Sequence, residues 1–306
     1  MEIFFRGRSL HLVDRACNLC GSRKNSLIGR KKGVLTSYDF AIASCAECGF
    51  VFVNPGLDDA SLIALYDQDY YRGEGFDSCA TYLSQNNEVQ EHPCYRSDST
   101  AKRLATVLSE LGIGGKDLLD VGCGLGGFVK QCNKLGFHAC GIETSSFAVQ
   151  KCREQGLEVV EGQLSGVAFD GRKFDVITLI EVIEHVTNPT NVIQQAASLL
   201  KSGGVVHVQT GNVDHAFSYL RRIDRLLKHS TGGKRPLGSL TELMNPIAWD
   251  YFSLEGHVSY FSPRTLAFLY KKCRLDPIEV PAVKSNARFP RSLIPQKQMP
   301  LGRKPF

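Results

Sequence analysis

The sequence predicts an α/β protein built on a doubly wound, mostly parallel sheet, and three observations carry that expectation. Short apolar runs alternate with segments of helical spacing through the middle of the chain, as strands do when crossover helices join them. The apolar run Leu118-Leu-Asp-Val121 enters a glycine-rich turn, Gly122-Cys-Gly-Leu-Gly-Gly127, where a backbone of glycines lets a nucleotide-like ligand approach closely. Two carboxylates, Asp120 and Glu143, stand at the ends of successive strands, which is where open α/β sheets gather their ligands.

Before the sheet come two paired cysteines, Cys17-Asn-Leu-Cys20 and Cys45-Ala-Glu-Cys48, each followed by glycine. Four thiolates on two such knuckles close a tetrahedral shell around Zn²⁺, so residues 1–56 read as a zinc-ribbon module whose closed shell makes the metal structural. The alternatives are unrelated turns or a redox pair. Arg30-Lys-Lys32 between the knuckles reads as a solvated basic turn, with a phosphate contact as the alternative. Residues 57–97 read as a helical connector: a helix over Ala60 to Tyr71 carrying Leu62, Ile63, Leu65 and Tyr66, then a polar stretch with Gly73, Gly75 and Pro93.

The core is expected over 98–282. Ser97 or Asp98 caps a helix bearing Leu104, Val107, Leu108 and Leu111, ended by Gly112 to Gly115. Strands are predicted at 117–122, 138–143, 157–161, 174–181 and 204–210, and helices at 126–136, 145–155 and 190–202, the last closed by Gly203-Gly204. Residues 212–256 break the rhythm with the basic piece Tyr219 to Lys228, a Gly/Pro/Ser-rich loop and the aromatics Trp249, Tyr251 and Phe252. An excursion of that length beside a crevice reads as an inserted lid, with plain surface elaboration as the alternative. Ser262-Pro263 then opens a helix through Cys273, and the Pro- and Arg/Lys-rich residues 283–306 read as a flexible basic tail.

Bulk properties narrow the class. With 43% hydrophobic and 22% charged residues in 306, the composition is that of an ordinary soluble enzyme, and a net charge of +5 is too weak to argue for nucleic acid. Charge interrupts Met1-Glu-Ile-Phe-Phe-Arg-Gly-Arg8 before a leader's apolar core develops, and no run nears the roughly 18 apolar residues of a membrane span. A cytoplasmic protein is expected, and its eleven cysteines are expected as thiols and metal ligands rather than disulfides.

The glycines at 122, 124 and 127 also fit the dinucleotide spacing, so the turn alone does not select a ligand. Asp120, two residues before the first glycine, would repel a pyrophosphate and suits the ammonium of a methionine moiety carrying a sulfonium. S-adenosylmethionine is therefore favoured over NAD, and Glu143 is placed to accept ribose hydroxyls from either. His185 and His257 are the candidate general bases, with structurally bonded histidines as the alternative.

Taken together, Leu118-Leu-Asp-Val-Gly-Cys-Gly124, Gly141-Ile-Glu143, Phe174 to Val186, Leu200-Lys-Ser-Gly-Gly204 and His257 to Thr265 resemble class I S-adenosylmethionine-dependent methyltransferases, which have a Rossmann-like doubly wound sheet. The cysteine pairs leading into Phe50-Val-Phe-Val-Asn-Pro55 and Asp69-Tyr-Tyr71 resemble the zinc-containing branch that includes sugar C-methyltransferases. Those enzymes carry a further carboxyl-terminal domain, where this sequence has only the short tail. The resemblance implies that Asp120, Gly122, Cys123 and Gly124 border the methionine end of the cofactor, Glu143 the ribose, Gln163 and Leu164 the adenine, and Ile180 and Glu181 the methyl group. Glu181, Glu184 and His185 are similar to the metal-binding segment of small-RNA 2′-O-methyltransferases and ubiquinone-pathway O-methyltransferases, which implies a second site for Mg²⁺ or a similar ion. The alternative is that Glu184 serves the first turn of a helix.

The function expected is methyl transfer to a small polar metabolite, a sugar nucleotide or pathway intermediate, at O, N or C. RNA methylation through the zinc module and the basic lid is one rival, and a noncatalytic binding protein on the same fold is the other.

Overall fold

The computed structural model describes residues 1–75, 82–84, 88–89, 97–165, 169, 171–214, 255–278 and 301–305. The lid expected at 212–256 falls almost wholly outside the described residues, including Trp249, Tyr251, Phe252 and the basic piece Tyr219 to Lys228.

The amino-terminal part is all β. Strands β1 (Glu2–Phe5) and β2 (Arg8–Val13) form a hairpin, and β6 (Gly56–Leu57) adds to β2. Strands β3 (Asn25–Lys32), β4 (Asp39–Cys45) and β5 (Val51–Val53) form a second, antiparallel sheet. Its fourth strand, β12 (Ser259–Tyr260), arrives from the far end of the chain, pairing Ser259 with Phe52 and Tyr260 with Val51.

The connector holds two short helices, α1 (Asp59–Ala64) and α2 (Gln68–Tyr71), where one was expected. The break has a local cause. Asp67 turns its carboxylate onto the Asp69 and Tyr70 amides and starts a new helix there.

The core follows as α3 (Ser97–Glu110), β7 (Asp117–Val121), α4 (Gly127–Lys134), β8 (His138–Glu143), α5 (Ser146–Glu154), β9 (Val159–Glu161), β10 (Phe174–Ile180), a 3₁₀ turn at Ile183–His185, α6 (Pro189–Leu199), β11 (Leu200–Gln209), α7 (Pro263–Lys272), β13 (Asp276–Ile278) and β14 (Leu301–Arg303). The sheet order is β13-β14-β11-β10-β7-β8-β9, parallel from β11 through β9. Alternation along each strand splits the core between two faces. Leu118, Val176 and Val205 pack under α3 and α4 with Leu104, Leu108 and Val129. Leu119, Ile177 and Val206 pack on the other face with Ile193 of α6 and Leu266 of α7, and that cluster continues into Cys17, Phe50 and Phe52. The amino-terminal part thus shares its apolar core with the sheet.

Two expectations at the carboxyl side are corrected. Strand β11 begins at Leu200, directly after α6, so Gly203-Gly204 lies within the strand rather than closing the helix. Residues 301–303, read as part of the flexible tail, form β14 between β11 and β13 and antiparallel to both. Leu301 is fully buried, and a side chain at Gly302 would meet the Tyr270 ring at 2.7 Å. Three residues are too few for a periodic signal, and their fit rests on that flat contact.

Candidate active site

The carboxyl ends of β7, β8 and β10 converge on the glycine turn. Gly122 and Cys123 both donate their amides to the Ile142 carbonyl, at 2.8 and 3.2 Å, which ties the turn to the neighbouring strand. Gly122 has φ +68°, and a Cβ there would lie 2.6 Å from the Val182 side chain. Gly124 has φ +52° with open space where a side chain would stand, so the turn presents bare backbone to the crevice.

Two buried acids flank that backbone. Asp120 accepts a 2.6 Å bond from the Thr178 hydroxyl, whose strand register sets it directly opposite. Burial pushes the Asp120 carboxyl up to about 7, against the Thr178 bond, and the Glu143 charge adds to the rise. Glu143 bridges the end of β8 to the turn. One oxygen accepts from the Gly124 amide at 2.9 Å, and the other from the Thr144 and Ser145 amides at 2.7 and 2.9 Å. The residue read as the ribose acceptor therefore also organises the loop around it. Cys123 is buried, and its thiol is held well above its ordinary range, first by its bond with Cys152 and then by burial. It therefore stands in the turn as a neutral thiol between Gly122 and Gly124.

The remaining residues expected at the cofactor divide. Gln163 is exposed after β9, while Leu164 is buried in the core cluster with Leu119 and Cys140. Ile180 ends β10, and Glu181 follows with φ +54°, a left-handed backbone that a non-glycine residue adopts at a cost of order 1–3 kcal/mol. Its amide donates to the Gln209 carbonyl at 2.8 Å, and its carboxylate faces the Gln209 amide at 3.4 Å.

That leaves Glu181 apart from the second metal set in which it was expected. The group brought together is Glu184, His185 and His257, whose ligand atoms all lie within 4.8 Å of one another. The two imidazoles sit 4.5 Å apart between centroids. His185 donates from Nδ1 to the Gly256 carbonyl at 2.9 Å, which fixes the neutral ring in the Nδ1–H tautomer. Burial pushes His185 down to about 4 and His257 well below its ordinary value, the latter helped by the charges of His185 and Lys31. Neutral rings suit ligation, and so low a basicity is a poor match for deprotonating a hydroxyl. Tyr66 meets His185 edge-on at 5.8 Å and begins an aromatic row, through Tyr70 and Tyr71 to Phe147, that reaches the first turn of α5 beside Glu143.

The four cysteines form a separate centre. Cys17 and Cys48 sulfurs are 3.7 Å apart, and those of Cys20 and Cys45 are 3.5 Å apart. Tetrahedral Zn–S bonds of about 2.3 Å put sulfurs roughly 3.8 Å apart, so the set fits the ion. The knuckles are built alike, with Gly21 donating to the Cys17 carbonyl and Gly49 to that of Cys45, both glycines at positive φ.

Sequence reasoning missed Thr178, although a hydroxyl inside Phe174-Asp-Val-Ile-Thr-Leu-Ile180 was a visible polar interruption of an apolar strand. It also missed that His257 completes the set begun by Glu184, because only the fold brings that residue back.

A family model described as a methyltransferase domain matches residues 89–279. Ubiquinone biosynthesis O-methyltransferase from Methylococcus capsulatus is 35% identical over 117 residues, 36% of this chain and 49% of that one. The corresponding protein of Nitrosococcus oceani is 35% identical over 122 residues, 38% of this chain and 52% of its own. The chain thus spans about half the length of these curated relatives. Among solved structures, magnesium protoporphyrin IX methyltransferase from Synechocystis with bound SAM aligns over 82% of this chain and 99% of its own, with TM-score 0.49 and 13% identity.

Proposed function

Because the chain belongs to the methyltransferase-domain family that its residues 89–279 match, we propose that it transfers the methyl group of S-adenosylmethionine to a hydroxyl of a small polar metabolite. The observation that carries this reading is the open backbone at Gly124 flanked by buried Asp120 and Glu143. An acid raised to about 7 by burial is a site that a cationic ligand would stabilise, and the open face of Gly124 leaves room for one.

In this reading Asp120 holds the methionine ammonium, Glu143 the ribose hydroxyls, Gln163 and Leu164 the adenine, and Ile180 with Glu181 the surroundings of the methyl group. The sulfonium, when bound, supplies an already activated methyl, so the chain's own task is to align the acceptor and exclude water. Glu184, His185 and His257 would hold a divalent cation that orients the acceptor hydroxyl, and two imidazoles favour a transition metal over Mg²⁺. The row from Tyr66 to Tyr71 would wall the acceptor between that cluster and the cofactor. Cys17, Cys20, Cys45 and Cys48 would hold a structural zinc. The hydroxyl chemistry finds support in the curated relatives, which are named as O-methyltransferases.

The test is calorimetric titration with S-adenosylmethionine, followed by labelled-methyl transfer to sugar nucleotides, to catechols and to RNA. Micromolar cofactor binding with label in a small hydroxyl compound is expected. No cofactor binding would sink the enzyme reading, and label only in RNA would overturn the acceptor class.

A further inference from the structure

The carbonyl that fixes His185 belongs to Gly256, and the residue before it is a fully buried carboxylate that the proposed chemistry does not use. Glu255 is 0% exposed. Its Oε1 accepts from the Leu35 amide at 2.8 Å and the Thr36 amide at 3.2 Å, in the loop joining β3 to β4. Gly33 in that loop leaves the carboxylate its place, since a Cβ there would stand 2.0 Å from Oε1. Three residues later the chain is pinned again: Val258 donates to the Glu184 carbonyl at 2.9 Å and accepts from the Val53 amide at 3.1 Å. Gly256 and His257 therefore span two anchors, one on the β3–β4 loop and one on β5 and the 3₁₀ turn.

We propose that Glu255 is a positioning residue for the histidine pair, through which the β3–β4 loop holds the Gly256 carbonyl against His185 Nδ1 and so fixes the His185 ring beside Glu184 and His257. This rests on the reading of that trio as the cation and acceptor site. A glycine's peptide has no side chain to hold its orientation, so its direction depends on its neighbours. Partners of this kind, which orient a ligating histidine from behind, affect metal affinity or activity by about 10–100-fold. The loop does not need Glu255 to close, because Gly33 already donates to the Tyr38 carbonyl across it. Oε2 of Glu255 is buried with no partner among the described residues, so glutamine can replace glutamate with its oxygen on the same two amides and lose no bond there.

Three variants separate positioning from simple support: Glu255→Ala, Glu255→Gln and, from the opposite side of the contact, Gly33→Ala. Each is compared with wild type by Mn²⁺ and Zn²⁺ titration, by ¹⁵N NMR of the histidine rings and by kcat and KM. Glu255→Ala and Gly33→Ala are expected to lose the Nδ1–H signature of His185, to weaken cation binding at the trio about tenfold or more and to lower kcat with the KM for S-adenosylmethionine unchanged. Glu255→Gln is expected to restore all three. Should Glu255→Ala fail to fold, Gly33→Ala against Glu255→Gln carries the same comparison. A His185 ring that keeps its Nδ1–H form in a folded Glu255→Ala or Gly33→Ala protein overturns the inference, as does a Glu255→Gln protein that behaves like Glu255→Ala. Because ring NMR needs no turnover, a wild type that methylates nothing would defeat the proposed function and still leave this contact to be judged.

Discussion

Asp120 is held partly protonated near neutrality by burial, by Glu143 and against the Thr178 bond, and its charge is worth most when a cation arrives. A cationic cofactor favours the ionised carboxylate, so binding below pH 7 must release a proton. Affinity for S-adenosylmethionine is expected to fall up to tenfold per pH unit as pH drops below about 7, and to level off above it. Asp120→Asn should flatten that profile and weaken binding by about 10–100-fold, since it removes a short-range charge pair in a low-dielectric site. Calorimetry at pH 5.5, 6.5 and 7.5 in buffers of different ionisation enthalpy would read both affinity and proton release. An unchanged pH dependence in the variant would assign the proton elsewhere.

At the level of elements, the strands and helices with strong periodicity are where the sequence places them: β8 at His138–Glu143 and α7 behind its Ser262 capping box are direct cases. What was not legible depends on partners distant in sequence. β14 is recognisable only once the slot between β11 and β13 exists, and the split of α1 from α2 turns on one carboxylate choosing the Asp69 and Tyr70 amides. The candidate site divides in the same way. Asp120 and Glu143 lie on adjacent strands and were readable from spacing, whereas Glu184, His185 and His257 meet only because β12 folds back onto β5. The knuckles make their own prediction. Purified protein is expected to carry about one zinc per chain outside the histidine cluster, and Cys45→Ser to release it. Because Cys17 and Cys45 belong to the same apolar cluster as Phe50 and Leu179, that loss should lower the unfolding temperature of the whole chain in a single transition. A variant that loses zinc and melts as the wild type does would make the module an appendage.

For the whole molecule, stability against pH is set by buried groups whose shifts oppose one another. His207 sits in β11 with neither ring nitrogen bonded among the described residues, and burial first, then Arg103, pushes it down to about 4. With its folded value below the unfolded one, near 6.5, its neutral form costs stability progressively as pH falls from 6.5 to 4. Asp120 runs the other way: its folded value lies above the unfolded one, so stability is lost as pH rises from about 4 to 7. Relative to wild type, Asp120→Asn should therefore steepen the gain in stability with pH over this window and His207→Gln should flatten it, each by up to about 1.4 kcal/mol per pH unit. Denaturant unfolding at pH 4.5, 5.5 and 6.5 measures the slopes, and parallel curves for all three proteins would refute the assignment. The pairing of β12 with β5 has a consequence in time. At about 5–20 residues per second of synthesis, the apolar strand Val51–Val53 waits roughly 10 to 40 s for its partner to leave the ribosome. Through that interval it is an open sheet edge, the kind of surface that recruits other chains, so the nascent protein's need for a chaperone should last until Ser259 and Tyr260 emerge and fall once they pair with β5.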